Sequence, residues 1–285
     1  MDQVILQGLN GLSLAGILAL VALGLGVTFG LLGVINLAHG ELFMLGAYTV
    51  LVVHRATGSV WLGIALAPLV VGAVGAVIER VVVKRLYGRP FDTLLATWAV
   101  SVVLRQAITL WQGGGYQPIP HPITTSVPVF GVQYPAYRLA LLGLGAVCLV
   151  LVGLLLYRTR LGVQARAAIQ NREVAAAMGV NVGAVDTLMF SLGAAMAGLA
   201  GAAMGPLVTV NPSMGLPILA SSFFVVILGG TGRLLGVAAG AAIIGGGQAV
   251  ASFFTNPVVA QVAVLLLAVL VIRVAPQGVF GRRPA

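Results

Sequence analysis

Charge is the scarcest property of this chain. Its 285 residues include 15 Lys+Arg and 6 Asp+Glu, so only 7% are charged. A soluble domain carries about 25%. So few charges cannot cover a water-facing surface, which excludes a soluble enzyme, a secreted module and a disordered chain. Cysteine is nearly absent too. Cys148 is the single one, so an intrachain disulfide and a cysteine metal cluster are both excluded. No G-x-x-x-x-G-K-[ST] run occurs. The nearest stretch, Gly229-Gly-Thr-Gly-Arg-Leu-Leu-Gly236, lacks the lysine and the preceding strand, so the chain has no P-loop nucleotide site. Energy for any work must come from a partner or a gradient. The N-terminus, Met1-Asp2-Gln3, has no basic region, so the first apolar run is expected to be a span rather than a cleaved leader.

What is abundant is apolar: 60% hydrophobic residues, with 39 glycines and a mean hydropathy of +1.09. Glycine without a Gly-X-Y period points to close helix packing in lipid. Gly26-x-x-x-Gly30, Gly201-x-x-x-Gly205 and Gly232-x-x-x-Gly236-x-x-x-Gly240 read as such packing faces. Runs long enough for a bilayer need about 20 residues. Candidates are 9–31, 37–53, 60–79, 92–111, 136–157, 187–209, 216–229, 234–254 and 258–274. The stretch 216–229 is short for a crossing and reads as a half-helix or re-entrant segment, which lipid tolerates only where protein surrounds it. The expected fold is all-α: one transmembrane helical bundle over 1–285, with eight or nine membrane segments, some broken or re-entrant.

The net charge of +9 does not mark a nucleic-acid binder, because its basic residues fall between apolar runs. Twelve of the 15 lie in four regions, 79–91, 158–186, the turn at Arg233, and the tail with Arg273, Arg282 and Arg283. The positive-inside rule makes those regions cytoplasmic. Nine crossings then put the N-terminus outside and the C-terminus inside. The loop 112–135, rich in Gly and Pro, becomes external: either a connector or a docking surface for an external partner.

The longest internal hydrophilic stretch is 158–186. From Gly162 to Met178 it is Ala-rich and predicts one short helix, with Gly179 past its end. Arg166, Gln170 and Glu173 would share its polar face. It anchors the protein at headgroups or docks a cytosolic subunit. Within it, Glu173-Val-Ala-Ala-Ala-Met-Gly179 resembles the E-A-A-x-x-x-G element of ABC importer permeases, with Val174 at the second position. The run Gly33-Val-Ile-Asn-Leu-Ala-His-Gly-Glu-Leu-Phe-Met-Leu-Gly-Ala-Tyr48 resembles the N-terminal signature of the branched-chain amino acid, urea and short-chain amide permease family. Arg158–Gly205, Phe223–Gly240 and Ala275-Pro-Gln-Gly-Val-Phe-Gly281 are similar to that family as well. Leu94–Ser101 and Gln170–Glu173 look most like its urea-transporting branch.

The resemblance implies an ATP-driven importer working by alternating access. Its partners would be a second, related permease, two cytosolic ATPases that bind the ATP, and an external solute-binding protein, all at a bacterial plasma membrane. This chain would need no cofactor of its own. The coupling residues would be Arg166, Gln170, Asn171, Arg172, Glu173, Ala175, Met178 and Gly179.

Polar groups inside the apolar runs nominate a solute pathway. Asn36, His39 and Glu41 open the second run, as pathway groups or as caps at the surface. Asn36-Leu-Ala-His-Gly40 is echoed by Asn211-Pro-Ser-Met-Gly215, and each precedes an interrupted segment, as in an inverted repeat. Thr97, Trp98 and Ser101 in the fourth run, and Ser221 and Ser222 in the seventh, line a pore or bond their own helices. Arg105 either snorkels outward or pairs with an acid such as Glu41. An amino acid zwitterion would want paired charges, which are sparse here, so urea or an amide is the expected solute.

Overall fold

The computed structural model describes residues 2–230 and 234–274. Arg233, Arg282, Arg283 and the closing Ala275–Gly281 run lie outside the described residues. Among the described residues eleven α-helices follow in order: α1 Asp2–Leu32, α2 His39–Thr57, α3 Val60–Val81, α4 Pro90–Gln112, α5 Ala136–Arg158, α6 Arg160–Gln170, α7 Arg172–Ala177, α8 Val182–Met204, α9 Gly215–Gly229, α10 Leu234–Phe254 and α11 Pro257–Val274. Six of them, α1, α3, α4, α5, α8 and α10, are long and apolar enough to cross a membrane. The α2 helix has the length but carries Glu41, His54 and Arg55. The fifteen residues of α9 rise only about 22 Å at 1.5 Å each, short of a hydrocarbon layer of about 30 Å.

The loop 112–135 departs from the all-helical expectation. Ser126–Val129 (β1) and Val132–Pro135 (β2) pair antiparallel, with Val127 opposite Tyr134. Phe130 and Gly131 both have positive φ at the turn. The hairpin is held inward by β2: Val132 and Tyr134 are buried, and the Tyr134 hydroxyl donates to the Leu9 carbonyl. That alternation is only four residues long, and the prolines around it mask it in the sequence.

Small residues set the packing. A Cβ on Gly63 would lie 2.7 Å from the Val50 Cα, and one on Gly193 would lie 2.7 Å from the Gly24 carbonyl oxygen. In lipid, such absent side chains let backbones approach and replace the hydrophobic drive that water supplies elsewhere. The helices α1 and α8 form the centre. On them the fold is doubled: α3 packs on α8 as α10 packs on α1, and α2 packs on α3 as α9 packs on α10. By contrast α4 contacts α2 only sparsely. Its outer face exposes Leu95, Trp98, Val102 and Val103.

Candidate functional site

Two chain breaks meet inside the bundle. After α1 the chain runs irregularly through 33–38 and re-forms helix at His39; after α8 it runs through 208–214 and re-forms helix at Gly215. The local chemistry is the same at both. Asn36 Oδ1 accepts from the Ala38 N–H at 3.0 Å, and the Asn36 carbonyl accepts from the His39 N–H at 3.3 Å. Asn211 Oδ1 accepts from the Ser213 N–H at 3.0 Å, and the Asn211 carbonyl accepts from the Met214 N–H at 3.2 Å. Each asparagine thus closes an Asx turn that starts a helix. A five-residue echo in the sequence is therefore a repeated turn.

The two new helices meet end to end. A Cβ on Gly40 would lie 2.6 Å from the Gly215 carbonyl oxygen, and one on Gly215 would fall on the Gly40 carbonyl. The level is set by His39, whose Nε2 donates to the Val21 carbonyl at 3.0 Å, well inside α1. Neighbouring Gly24 packs on Gly193, at the centre of α8. Both N-termini, with their positive helix ends, therefore lie deep in the apolar bundle. Beside the second break a cavity of about 280 Å³ is lined by Phe43, Asn211, Met214, Pro217 and Ile218.

A buried ion pair stands next to the first break. Arg105 of α4 donates to Glu41 Oε1 from its terminal nitrogen at 2.7 Å and from Nε at 3.2 Å. It also donates to the Ser101 hydroxyl at 3.1 Å. Glu41 is 1% exposed and Arg105 27%. The pairing reading of Arg105 thus holds over snorkelling. Thr97 ties α4 to the irregular segment: its hydroxyl accepts from the Leu37 N–H and donates to the Ile35 carbonyl, both at 3.1 Å. Three buried polar atoms here, Asn36 Nδ2, His39 Nδ1 and Glu41 Oε2, have no hydrogen-bond partner among the described residues. Such groups are rare and costly unless something polar meets them.

The other nominated groups sort differently. Trp98 is 57% exposed on the outside of α4, away from this cluster. Ser221 and Ser222 are buried, but their hydroxyls donate to the Pro217 and Ile218 carbonyls of their own helix.

The 158–186 loop corrects the expectation of one helix over 162–178. It folds as α6 and α7, broken at Asn171, which is extended (φ −158°, ψ 109°). The Asn171 side chain accepts from the Glu173 and Val174 N–H groups, both at 3.0 Å. An asparagine that can cap a new helix competes with continuing the old one. Gly179 follows α7 at φ +84°, a conformation glycine adopts without steric cost. Arg166 does not join a free polar face. It donates back to the Leu156 carbonyl and stacks over the Tyr157 ring. Gln170 and Glu173 are exposed, as are Val174 and Met178, while Ala175 is buried.

Arg172 links this loop to the bundle. It pairs with Asp186 of α8, a carboxylate 2% exposed, and lies over the Tyr87 ring at 4.8 Å. The Tyr87 hydroxyl donates to Glu79 of α3 at 3.3 Å, and Thr187 donates to the other Glu79 oxygen at 2.6 Å. Burial first, then the Asp186 and Glu79 charges, push the Tyr87 phenol far above its usual range, so it stays a hydrogen-bond donor. The sequence placed Glu79 and Asp186 at segment ends and gave them no role. Only their proximity in space reveals one.

The family described as "branched-chain amino acid transport system / permease component" matches residues 8–275. The high-affinity branched-chain amino acid transport system permease protein LivH of Escherichia coli (strain K12) is 29% identical, over 97% of this chain and 95% of its own length. BraD of Pseudomonas aeruginosa, described in the same words, is also 29% identical over the same shares. The probable branched-chain amino acid transport permease protein LivH of Methanocaldococcus jannaschii is 28% identical, over 98% of this chain and 93% of its own length.

Proposed function

The chain belongs to the branched-chain amino acid transport permease family, and from that premise we propose that it is the membrane-spanning permease subunit of an ATP-driven ABC importer for a branched aliphatic amino acid. The observation that carries the transport reading is the meeting of α2 and α9 at Gly40 and Gly215. Two interrupted helices that begin deep in the bundle, related as repeats, are the arrangement transporters use to place a solute site in the bilayer. Alternating access then opens the two sides of this crossing in turn.

The solute choice rests on Arg105 and Glu41. Charge scarcity argued for a neutral solute, yet a charge pair stands beside the break. Arg105 offers unused N–H donors to a carboxylate, and Glu41 Oε2, which has no partner among the described residues, offers an acceptor to an ammonium. The relatives' names point the same way. A second reading, urea or a short-chain amide, draws on the likeness of Leu94–Ser101 and Gln170–Glu173 to the urea branch. Thr97 and Ser101 supply the uncharged partners such a solute needs.

The engagement of Glu41 with Arg105 also weighs against a proton-coupled carrier, which would need that carboxylate free to titrate. The exposed apolar face of α4 suits the mate permease. The α6–α7 loop suits the ATPases, with Arg172 passing their motion to α3 and α8 through Asp186, Tyr87 and Glu79. The binding protein would dock externally, the membrane is the bacterial plasma membrane, and the C-terminus is cytoplasmic. Uptake by the complete importer in vesicles tests the substrate. Labelled leucine outcompeting urea supports the amino acid reading, and the reverse order supports the urea reading.

A further inference from the structure

A second cavity lies away from the α2–α9 crossing, beneath the loop assigned to the ATPases. It measures about 240 Å³, the liquid share of about eight waters. Its walls come from the C-terminal end of α1, from α6, and from Arg172 and Asp186. We propose that it is a cytoplasmic product site, which binds an aliphatic α-amino acid zwitterion and slows the transport cycle when occupied. This inference rests on the amino acid reading above.

The chemistry of the walls selects the ligand. Arg172 has five N–H donors, and Asp186 has about four acceptor positions on its two oxygens. Their mutual pairing uses two of each, so the same pair keeps donors for a carboxylate and acceptors for an ammonium. The end of α1 adds a negative helix terminus, which favours a cation. The remaining lining is apolar, with Leu31, Leu32, Ala168 and Ile169, and suits a branched hydrocarbon side chain. A simple anion or cation would answer only one of the two charges.

Position supplies the effect. Arg172 belongs to α7 and Ala168 to α6, whereas Leu32 ends α1 and Asp186 begins α8. A molecule held among them joins the coupling loop to the fixed centre of the bundle. A ligand favours whichever conformation it binds better. Here that is the one with the loop seated on α1 and α8, so movement with the ATPases is opposed as product accumulates.

The test uses the assembled importer in nanodiscs, without binding protein, and reads labelled leucine binding together with ATP hydrolysis. Leucine is expected to bind and to lower hydrolysis. Leucinamide and isocaproate, each lacking one charge, are expected to bind roughly tenfold more weakly, the loss of one charge-assisted hydrogen bond. Ala168→Phe, which fills the cavity, should abolish both effects, and Ile169→Trp serves if that variant does not assemble. Inhibition that survives Ala168→Phe or Ile169→Trp overturns the proposal. ATP-driven leucine uptake by vesicles that hold the complete importer, with no leucine effect on hydrolysis in nanodiscs, defeats the cavity site alone. Absence of any leucine uptake by those vesicles defeats the substrate reading as well.

Discussion

Gly40 and Gly215 touch backbone to backbone where two helices begin, each just after an asparagine that closes the same turn. No side chain fits between them. Alanine at either position must push α2 and α9 apart, an overpacking that costs roughly 1–3 kcal/mol. Gly215→Ala and Gly40→Ala are expected to lower uptake more than they lower the amount of assembled complex. Uptake per assembled complex, quantified in membranes, checks this.

The Arg105–Glu41 pair should behave as one unit. Removing one partner of a buried pair costs about 3–5 kcal/mol, because the other charge is left alone. Glu41→Ala and Arg105→Ala are therefore expected to destabilise severely, and the double variant by much less than the sum. Thermal unfolding in detergent across the four-member cycle measures the coupling.

Asn171 separates α6 from α7. Replacing it with alanine removes a cap worth about 1 kcal/mol and lets the two helices merge toward the single helix that the Ala-rich sequence favours. Asn171→Ala is expected to assemble with the ATPases but to weaken the stimulation of ATP hydrolysis by loaded binding protein. Hydrolysis with and without that protein reports the change.

Arg172→Gln should uncouple rather than unfold. It removes the charge facing Asp186 and the stack on Tyr87, but leaves α7 capped by Asn171. ATP hydrolysis is expected to continue while uptake falls. Parallel loss of both would mean that the residue serves assembly alone. Gly179→Ala is expected to act in the same direction, since a non-glycine residue in the left-handed region costs roughly 1–2 kcal/mol.

Helix placement was largely legible from the sequence. The 234–254 run matches α10, and 60–79, 92–111 and 136–157 lie within three residues of α3, α4 and α5, because long apolar runs between charged loops have few alternatives. The Asn36 and Asn211 echo was legible as a pair of interrupted segments, though not as a repeated turn, and Arg105 was legible only as a choice between snorkelling and pairing with Glu41. What the chain order hid was depth and proximity. Nothing local says that Gly40 meets Gly215, or that Arg172 reaches Asp186 and Tyr87, because those contacts join segments far apart in sequence. The break at Asn171 was missed because alanine propensity around it outweighed one capping residue. The β1–β2 hairpin was missed because its alternation is too short to register among prolines.

The most direct test of the transport claim is uptake of labelled leucine by vesicles that hold the complete importer, with ATP enclosed on the ATPase side and binding protein outside. Leucine is predicted to accumulate only with ATP and to be indifferent to collapse of the proton gradient. Accumulation driven by a proton gradient without ATP would contradict the account.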